Sequence, residues 1–370
     1  MSYIDYLRLT DFRSYESLDI KFDGRPVVLF GPNGAGKTNL LEAISFLSPG
    51  RGLRGAKIEE LSRLSSEKKY KAWGINAELN QTRLSIGQIP ENPRRKITKV
   101  NGKNSTGTEL AKLITLMWLT PMQDRLFTGP AADRRKFLDR FTLVHTPSHG
   151  LTTLRYEKMR SERNRLLSDG INDKGWFEAI ESDMASQGAS IAKARTETVD
   201  RLNQEIDNRS QSNDIFPRGK VSLEGDAEEK FKKGMVFEDI EDYLREKFKS
   251  TRSLDMKAGR TLHGVHKSDL NVVNIEKNID ASQCSTGEQK ALLIGLTLAH
   301  ARAQADRSPI LLLDEVAAHL DMDRRAALIE ELISLGTQIF MTGTDALLFE
   351  AFGDRAQQFE IKNGILTKHH

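Results

Sequence analysis

The chain of 370 residues is two to three domain-lengths and balances 55 Lys and Arg against 52 Asp and Glu, a net +3 that by itself advertises no polyanion partner. With 38% hydrophobic and 29% charged residues, its composition is that of a globular protein and excludes a disordered chain. One cysteine, Cys284, excludes a disulfide scaffold or Cys-based structural zinc site and suits a reducing cytosol, and no apolar run approaches the length of a membrane span.

Met1–Leu9 is charged and alternating, unlike a signal peptide. Tyr3–Leu9 and Leu18–Phe22 alternate as strands do, joined through Asp11-Phe12-Arg13-Ser14-Tyr15. Val27-Val28-Leu29-Phe30 is a short unbroken apolar run, the pattern of a strand buried on both faces. A glycine-rich loop follows, and Lys37–Leu47 sets Leu40, Leu41, Ile44 and Leu47 at helical spacing. Lys69–Asn101 reads as strands again, with Asn101-Gly102 as a hairpin turn. Thr115–Leu119 is another apolar run, closed by Pro121.

From about Ala131 to Arg252 the pattern turns helical. Phe177, Ile180, Met184, Ile191, Val199, Leu202 and Ile206 recur near multiples of about 3.5, as in an antiparallel helical pair. Ile215-Phe216-Pro217 interrupts this, and Val236, Ile240, Leu244 and Phe248 make a further stripe; both read as core faces of an arm without chemistry of its own. After Gly264 come a helix (Glu288–Ala305), a buried strand (Ile310–Leu313), a helix (Asp323–Leu335), a strand (Gln338–Met341) and a closing strand (Gln357–Leu366). The pattern predicts one split α/β domain, 1–125 with 263–370, and an inserted α-helical arm over 126–262.

Gly31-Pro32-Asn33-Gly34-Ala35-Gly36-Lys37-Thr38 fits G-x-x-x-x-G-K-[ST], directly after a buried strand and opening a helix. The glycines let successive N–H groups face phosphate oxygens, and the helix N-terminus adds its positive end. Lys37 is placed for the β/γ-phosphates and the Thr38 hydroxyl for Mg²⁺. Ile310-Leu311-Leu312-Leu313 ends in Asp314-Glu315, at the strand edge where open α/β sheets bind ligands. Asp314 is the expected second Mg²⁺ contact, and Glu315 the general base that polarises the attacking water.

Ser285-Thr286-Gly287-Glu288-Gln289 opens a long helix and offers a second phosphate cradle. Taken alone, Ser285 and Glu288 fit an S-x-x-E capping box. One chain needs only one cradle, so two in the same chain point to two copies facing each other, each completing the other's site.

These pieces resemble the ABC-type ATPase heads, with Ser285, Gly287, Glu288 and Gln289 as a variant signature acting in trans and His319-Leu320-Asp321 as the D-loop. More narrowly, the chain resembles the RecF family of bacterial recombination mediators, related to the Rad50 and SMC heads. The residues that carry this are Asp11–Tyr15, Gly31–Ile44, Pro49–Arg54, Gly129-Pro130 with Arg134–Asp139, and His266–Leu270. An arm of only 137 residues (126–262) leaves no room for an SMC or Rad50 coiled coil, and a transport cassette needs no such arm.

The resemblance implies a split ABC-type P-loop ATPase head with a mixed sheet, flanking helices and an inserted arm. It implies ATP, with Arg13, Gly31, Asn33, Gly34, Gly36, Lys37, Thr38 and Asn39 as contacts, and Mg²⁺ held by Thr38, Asp314 and Gln123. It makes Lys37, Gln123 and Glu315 the catalytic set of a weak, DNA-stimulated ATPase. Thr342-Gly343-Thr344 stands where many such ATPases carry a switch histidine, with Thr342 as the candidate γ-phosphate sensor. The resemblance further implies a cytoplasmic, nucleoid-associated protein of DNA repair, recombination, replication and the SOS response. ATP closes its homodimer at duplex and single-strand/duplex junctions; it helps RecR and RecO load RecA, and hydrolysis releases it.

Residues 1–125 carry 20 basic and 13 acidic side chains, 126–262 carry 25 and 24, and 263–370 carry 10 and 15, so the first stretch suits a polyanion best. Candidate DNA contacts are Arg51, Arg54 and Lys57, Arg94, Arg95 and Lys96, and Arg134 and Arg135. Lys and Arg contacts to phosphate give sequence-independent, salt-sensitive binding. Two other readings remain at this point: a transport cassette with a membrane partner, and an ATP-gated clamp that does not hydrolyse.

Overall fold

The computed structural model describes residues 3–63, 71–171, 173–208, 215–304 and 307–369, apart from the side chain of His319. The chain divides into two compact units, Met1–Asp124 with His300–His370, and Arg125–Ala299.

The first unit holds two six-stranded sheets. One is antiparallel, built from β1 (Ile4–Phe12), β2 (Tyr15–Lys21), β4 (Gly74–Leu79), β5 (Thr82–Ile89), β6 (Asn92–Val100) and β7 (Lys103–Asn104), in the order β2-β1-β4-β5-β6-β7. The Asn101-Gly102 turn forms as predicted, both residues left-handed, joining Val100 to Lys103. Lys69, where the strand pattern begins, lies outside the described residues.

The other sheet uses β3 (Val27–Phe30), β8 (Leu116–Leu119), β12 (Ile310–Leu313), β13 (Ile339–Gly343), β14 (Gln357–Lys362) and β15 (Ile365–His369), in the order β15-β14-β3-β13-β12-β8. All neighbours are parallel except the β14–β15 pair. Every residue of β3, β8, β12 and β13 is buried, which explains their unbroken apolar runs: both faces of the sheet are covered.

Helix α1 (Lys37–Ser45) contributes Leu40, Leu41 and Ile44 to a core shared with Leu7, Leu9 and Ile75 of the antiparallel sheet and Leu29, Leu312 and Phe340 of the parallel one. Each such fully buried side chain contributes about 2 kcal/mol through the area removed from water. Two more helices belong to the sequence between strands: α2 (Gly107–Leu113), which ends three residues before β8, and α10 (Met322–Ser334), between β12 and β13.

The second unit contains α3 (Ala131–His145), α4 (His149–Ser168), the 35-residue α5 (Lys174–Asn208), α6 (Asp226–Lys232), α7 (Phe237–Ser250), α8 (Arg252–Ala258) and most of α9 (Thr286–Arg302). The predicted stripe from Phe177 to Ile206 is buried, along one continuous helix instead of a helical pair; Ile240, Leu244 and Phe248 of α7 are buried too, whereas Val236, predicted with them, precedes the helix and is exposed. Ala305, the predicted end of α9, lies outside the described residues.

Two expectations are corrected. The helical middle includes a strand, β9 (Gly219–Glu224), which pairs antiparallel with β10 (Asp269–Asn274) over six positions; β11 (Ile279–Asp280) completes a three-stranded sheet. Its alternating burial over Gly219–Glu224 is too short a signal beside long helical stripes. The closing segment is a hairpin, not one strand, because Asn363-Gly364 turns the chain between β14 and β15.

Candidate functional site

The chain leaves β3 into the phosphate loop, where Gly31 has φ 145 and Gly36 φ 115. A Cβ on Gly31 would lie 2.2 Å from the Ile361 carbonyl oxygen, and one on Gly36 would lie 2.9 Å from Ser14 Oγ. Only glycine fits either position, so the loop closes tightly. The Tyr15 hydroxyl donates to the Gly36 carbonyl at 2.9 Å.

Inside the loop, Lys37 is 4% exposed and its Nζ donates to the carbonyls of Gly31 (2.6 Å) and Pro32 (2.9 Å). Burial pushes its pKa below the usual lysine range, while Glu315 and Asp314 are near enough to pull it back up. Asn33 and Gly34 are exposed at the loop's tip.

Strand order brings the acid pair alongside. β13 lies between β3 and β12, so the C-terminal ends of all three meet on one edge. Thr38 Oγ1 donates to Asp314 Oδ1 at 3.0 Å, and Thr342 Oγ1 donates to the same oxygen at 2.7 Å. The Glu315 amide donates to Thr342 Oγ1 at 3.0 Å, with Glu315 itself left-handed at φ 54. Among the described residues no cluster of three or more His, Cys, Asp or Glu assembles. A hydroxyl and one carboxylate are nonetheless what a phosphate-bound Mg²⁺ takes from a protein, and Thr38 and Asp314 fit that donor set.

Other candidates are placed less simply. Gln123 follows β8 on the same edge, but its Oε1 accepts from the Thr120 amide (2.8 Å) and hydroxyl (2.7 Å), and it makes no hydrogen bond to Thr38 or Asp314. Arg13 is bidentate on the buried Glu42, at 2.9 Å for both bonds, and also donates to the Glu60 carbonyl at 2.8 Å. Asn39 donates to Ser14 Oγ at 2.9 Å and accepts from Arg54 at 3.0 Å. Glu42 therefore gathers Arg13 and Arg54 (3.6 Å) beside the phosphate loop, a role the sequence reading missed although Glu42 is a lone acid on the apolar helix that follows the loop.

In the second unit, Ser285 and Glu288 form a capping box at the start of α9. The Ser285 amide donates to Glu288 Oε2 at 3.0 Å and the Glu288 amide reaches Ser285 Oγ at 3.4 Å. Lys277 pairs with the same carboxylate, and that pairing together with the Ser285 bonds lowers its pKa to about 2. Gly287 is open to solvent, while Gln289 is buried and donates to the Cys284 carbonyl at 2.9 Å. In the first unit, Asp321 caps α10 through the Arg324 amide at 2.8 Å; the backbone of His319 ends a 3-10 turn, and its side chain lies outside the described set.

Among the basic candidates, Arg51, Arg54, Lys57, Arg94 and Arg95 are exposed. Lys96 is half-buried, donating to the Gly50 carbonyl at 2.9 Å and lying over the Phe46 ring. Arg134 and Arg135 are engaged within the protein. Arg134 is bidentate on Asp269 at 2.7 Å for both bonds and donates to the Gly129 carbonyl at 2.6 Å, and Arg135 donates to the Ser268 carbonyl at 2.7 Å. The Arg134 guanidinium is spent joining Arg134–Asp139 to His266–Leu270, and Arg135 adds one bond between the same motifs, whose partnership no local pattern reveals.

A phosphate loop, an acid pair on the parallel strand next but one and a helical insertion define a split P-loop ATPase head of the SMC/ABC type. The chain matches the RecF/RecN/SMC N-terminal domain family over residues 3–366. It is 44% identical to the DNA replication and repair protein RecF of Rhizobium meliloti (strain 1021), covering 99% of this chain and 98% of that protein. It is 46% identical to the RecF of Mesorhizobium japonicum (strain LMG 29417 / CECT 9101 / MAFF 303099), covering 99% and 97%. A solved structure of the recombination mediator protein RecF with ATP, in the RecFOR pathway, superposes with a TM-score of 0.81 at 25% identity, covering 100% of this chain and 99% of that one. The chain belongs to the RecF family. Among the described residues no helix is long and apolar enough to cross a membrane.

Proposed function

We propose that the chain is an ATP-dependent, DNA-binding recombination mediator, in which ATP joins two copies and hydrolysis parts them. The observation that carries this is the array Thr38–Asp314–Thr342–Glu315, which places a phosphate loop and an acid pair on one sheet edge. Lys37 and the start of α1 bind the β- and γ-phosphates, where an anion relieves the cost of a buried ammonium held only by carbonyls. Thr38 and Asp314 hold Mg²⁺, which when bound neutralises charge on the phosphate oxygens. Glu315 takes the proton of the attacking water, with Gln123 turning from Thr120 to orient it.

Ser285 and Gly287 of a second copy complete the site. For this the Glu288 carboxylate gives up the Ser285 amide and leaves the start of α9 to the terminal phosphate. Arg13, Asn33, Gly34 and Asn39 border the nucleotide, and His319 and Asp321 lie at the junction between copies. The exposed cations Arg51, Arg54, Lys57, Arg94 and Arg95, with Lys96 behind them, hold duplex DNA by its phosphates. The names of the relatives, a DNA replication and repair protein and a mediator of the RecFOR pathway, support work beside RecR and RecO; on this reading it acts at gapped DNA upstream of RecA, in the cytoplasm at the nucleoid. Membership of the RecF family sets the transport cassette aside.

The test is phosphate release with and without duplex DNA across a salt series, paired with light scattering. Wild type is expected to dimerise with ATP and to release phosphate faster with DNA, less so as salt rises. Lys37→Arg and Asp314→Asn should lose dimer or turnover, and Glu315→Gln should persist as an ATP-bound dimer. Wild type and all three variants remaining equally monomeric with ATP would refute the reading. A wild type that dimerises without releasing phosphate would leave the non-hydrolysing clamp in its place.

A further inference from the structure

Strand β13 carries a buried hydroxyl that phosphate binding does not use. Thr342 is 0% exposed, sits beside Leu29 of β3, and lies one position beyond the Met341–Leu313 pairing with β12. Its single proton goes to Asp314 Oδ1 at 2.7 Å and a lone pair takes the Glu315 amide at 3.0 Å, which satisfies donor and acceptor together. An enclosed side chain whose one proton already goes to Asp314 is poorly placed to donate to a terminal phosphate. It is well placed to hold the two acids in a fixed relation.

Glu315 needs such a hold. The ladder between β12 and β13 runs through the Leu313–Met341 pair, and Glu315 then turns left-handed at φ 54 and ψ 25 before the 3-10 turn Val316–His319. That region is sparsely populated by residues with a side chain, and it persists where the surroundings over-determine it. The Thr342 hydroxyl supplies that determination by standing in for the next ladder carbonyl. The same hydroxyl holds the Asp314 carboxylate by the oxygen that Thr38 also bonds, and bonds in such a chain polarise one another.

We propose that Thr342 is a positioning residue whose one hydroxyl couples the carboxylate of Asp314 to the backbone of Glu315, so that both acids are set together. This rests on the roles given above to Asp314 and Glu315, and it assigns Thr342 no contact with nucleotide.

The test compares Thr342→Val, which keeps the volume and loses the hydroxyl, with Thr342→Ser, which keeps the hydroxyl. In the full-length protein without nucleotide, Thr342→Val should speed hydrogen exchange at the Glu315 amide by about tenfold or more, while Thr342→Ser stays within about threefold of wild type. With ATP, Thr342→Val should lower turnover about 10- to 100-fold, raise the Mg²⁺ concentration for half-maximal rate, and leave ATP affinity within about threefold. Should the valine variant not fold, Thr342→Ser against Thr342→Ala makes the same contrast. Wild-type exchange and turnover in the valine variant would overturn the proposal, as would a serine variant as impaired as the valine one. If wild type itself releases no phosphate, the reading of Glu315 as base fails. Unchanged exchange at its amide in the valine variant is a separate failure, that of Thr342 alone.

Discussion

Lys37 in the first unit and Arg163 in the second are both cations withdrawn from water, at 4% and 0% exposure, yet their surroundings differ in kind. Arg163 donates to Glu181 (3.0 Å), Asp255 (2.7 Å), Thr261 (2.9 Å) and the Phe248 carbonyl (2.8 Å), so its charge is matched and its donors are spent. Lys37 bonds to two loop carbonyls, with no carboxylate at ion-pairing distance among the described residues. A buried charge left without a paired counter-charge is costly. Arg163 has its charge matched inside the protein, and Lys37 has the charge that, under the proposed function, ATP phosphates match.

The sharpest way to break this contrast is to remove each cation. Arg163→Met strands Asp255 in the arm's interior, leaving Glu181 to Arg252 alone, and should cost about 3–5 kcal/mol, seen as a lower denaturant midpoint for the second unit. Lys37→Ala should lower phosphate release by about a hundredfold or more while leaving the midpoint of the first unit at or above wild type. Equal loss of stability in both variants would show that Lys37 is also structural.

Surface cations extend the comparison at smaller scale. Arg94 and Arg95 are exposed, whereas Arg134 is committed to Asp269. The double variant Arg94→Ala/Arg95→Ala should weaken duplex binding about tenfold and flatten the salt dependence by roughly two phosphate contacts. Arg134→Ala should leave that salt slope unchanged and lower stability instead. A slope altered by Arg134→Ala alone would restore it to the DNA surface.

The same distinction explains what the sequence made visible. The phosphate loop and the acid pair are continuous segments after buried strands, so their chemistry is written locally, at Gly31–Thr38 and Ile310–Glu315. Thr342 acquires its place only because β13, late in the chain, inserts between β3 and β12, and strand order is not a local property. Arg134 finds Asp269 across 135 positions, and a basic cluster in sequence cannot say which of its members are already spoken for. Asn363-Gly364 was locally legible, being the same dipeptide as Asn101-Gly102.

A third group, half-buried, escapes the problem by giving up its charge, and its effect should be the smallest. His266 Nε2 lies 3.0 Å from the Thr261 carbonyl oxygen and so carries the proton; Nδ1 accepts from the Tyr156 hydroxyl at 2.8 Å. Both nitrogens are satisfied in the neutral ring. A second proton would face the Tyr156 oxygen in a half-buried setting that Arg160, Lys267 and Arg135 already make positive. Burial first, and those charges after it, push the pKa down to about 3. The unfolded chain, with an imidazole near pKa 6.5, takes up that proton first, so the contribution is whole above about pH 6.5 and drains away as pH falls towards 3. Stability of the second unit should therefore drop by about 1 kcal/mol per pH unit between pH 6 and 4. Asp139, whose carboxyl burial would raise but which Arg195 and His149 hold well below the usual range, adds its own loss only below about pH 4. His266→Gln keeps a donor and an acceptor without a titrating proton, so its urea midpoint should be flatter over pH 6 to 4. A slope unchanged by that substitution would place the acid sensitivity elsewhere and leave only two ways, with or without a paired counter-charge, in which this protein buries a cation.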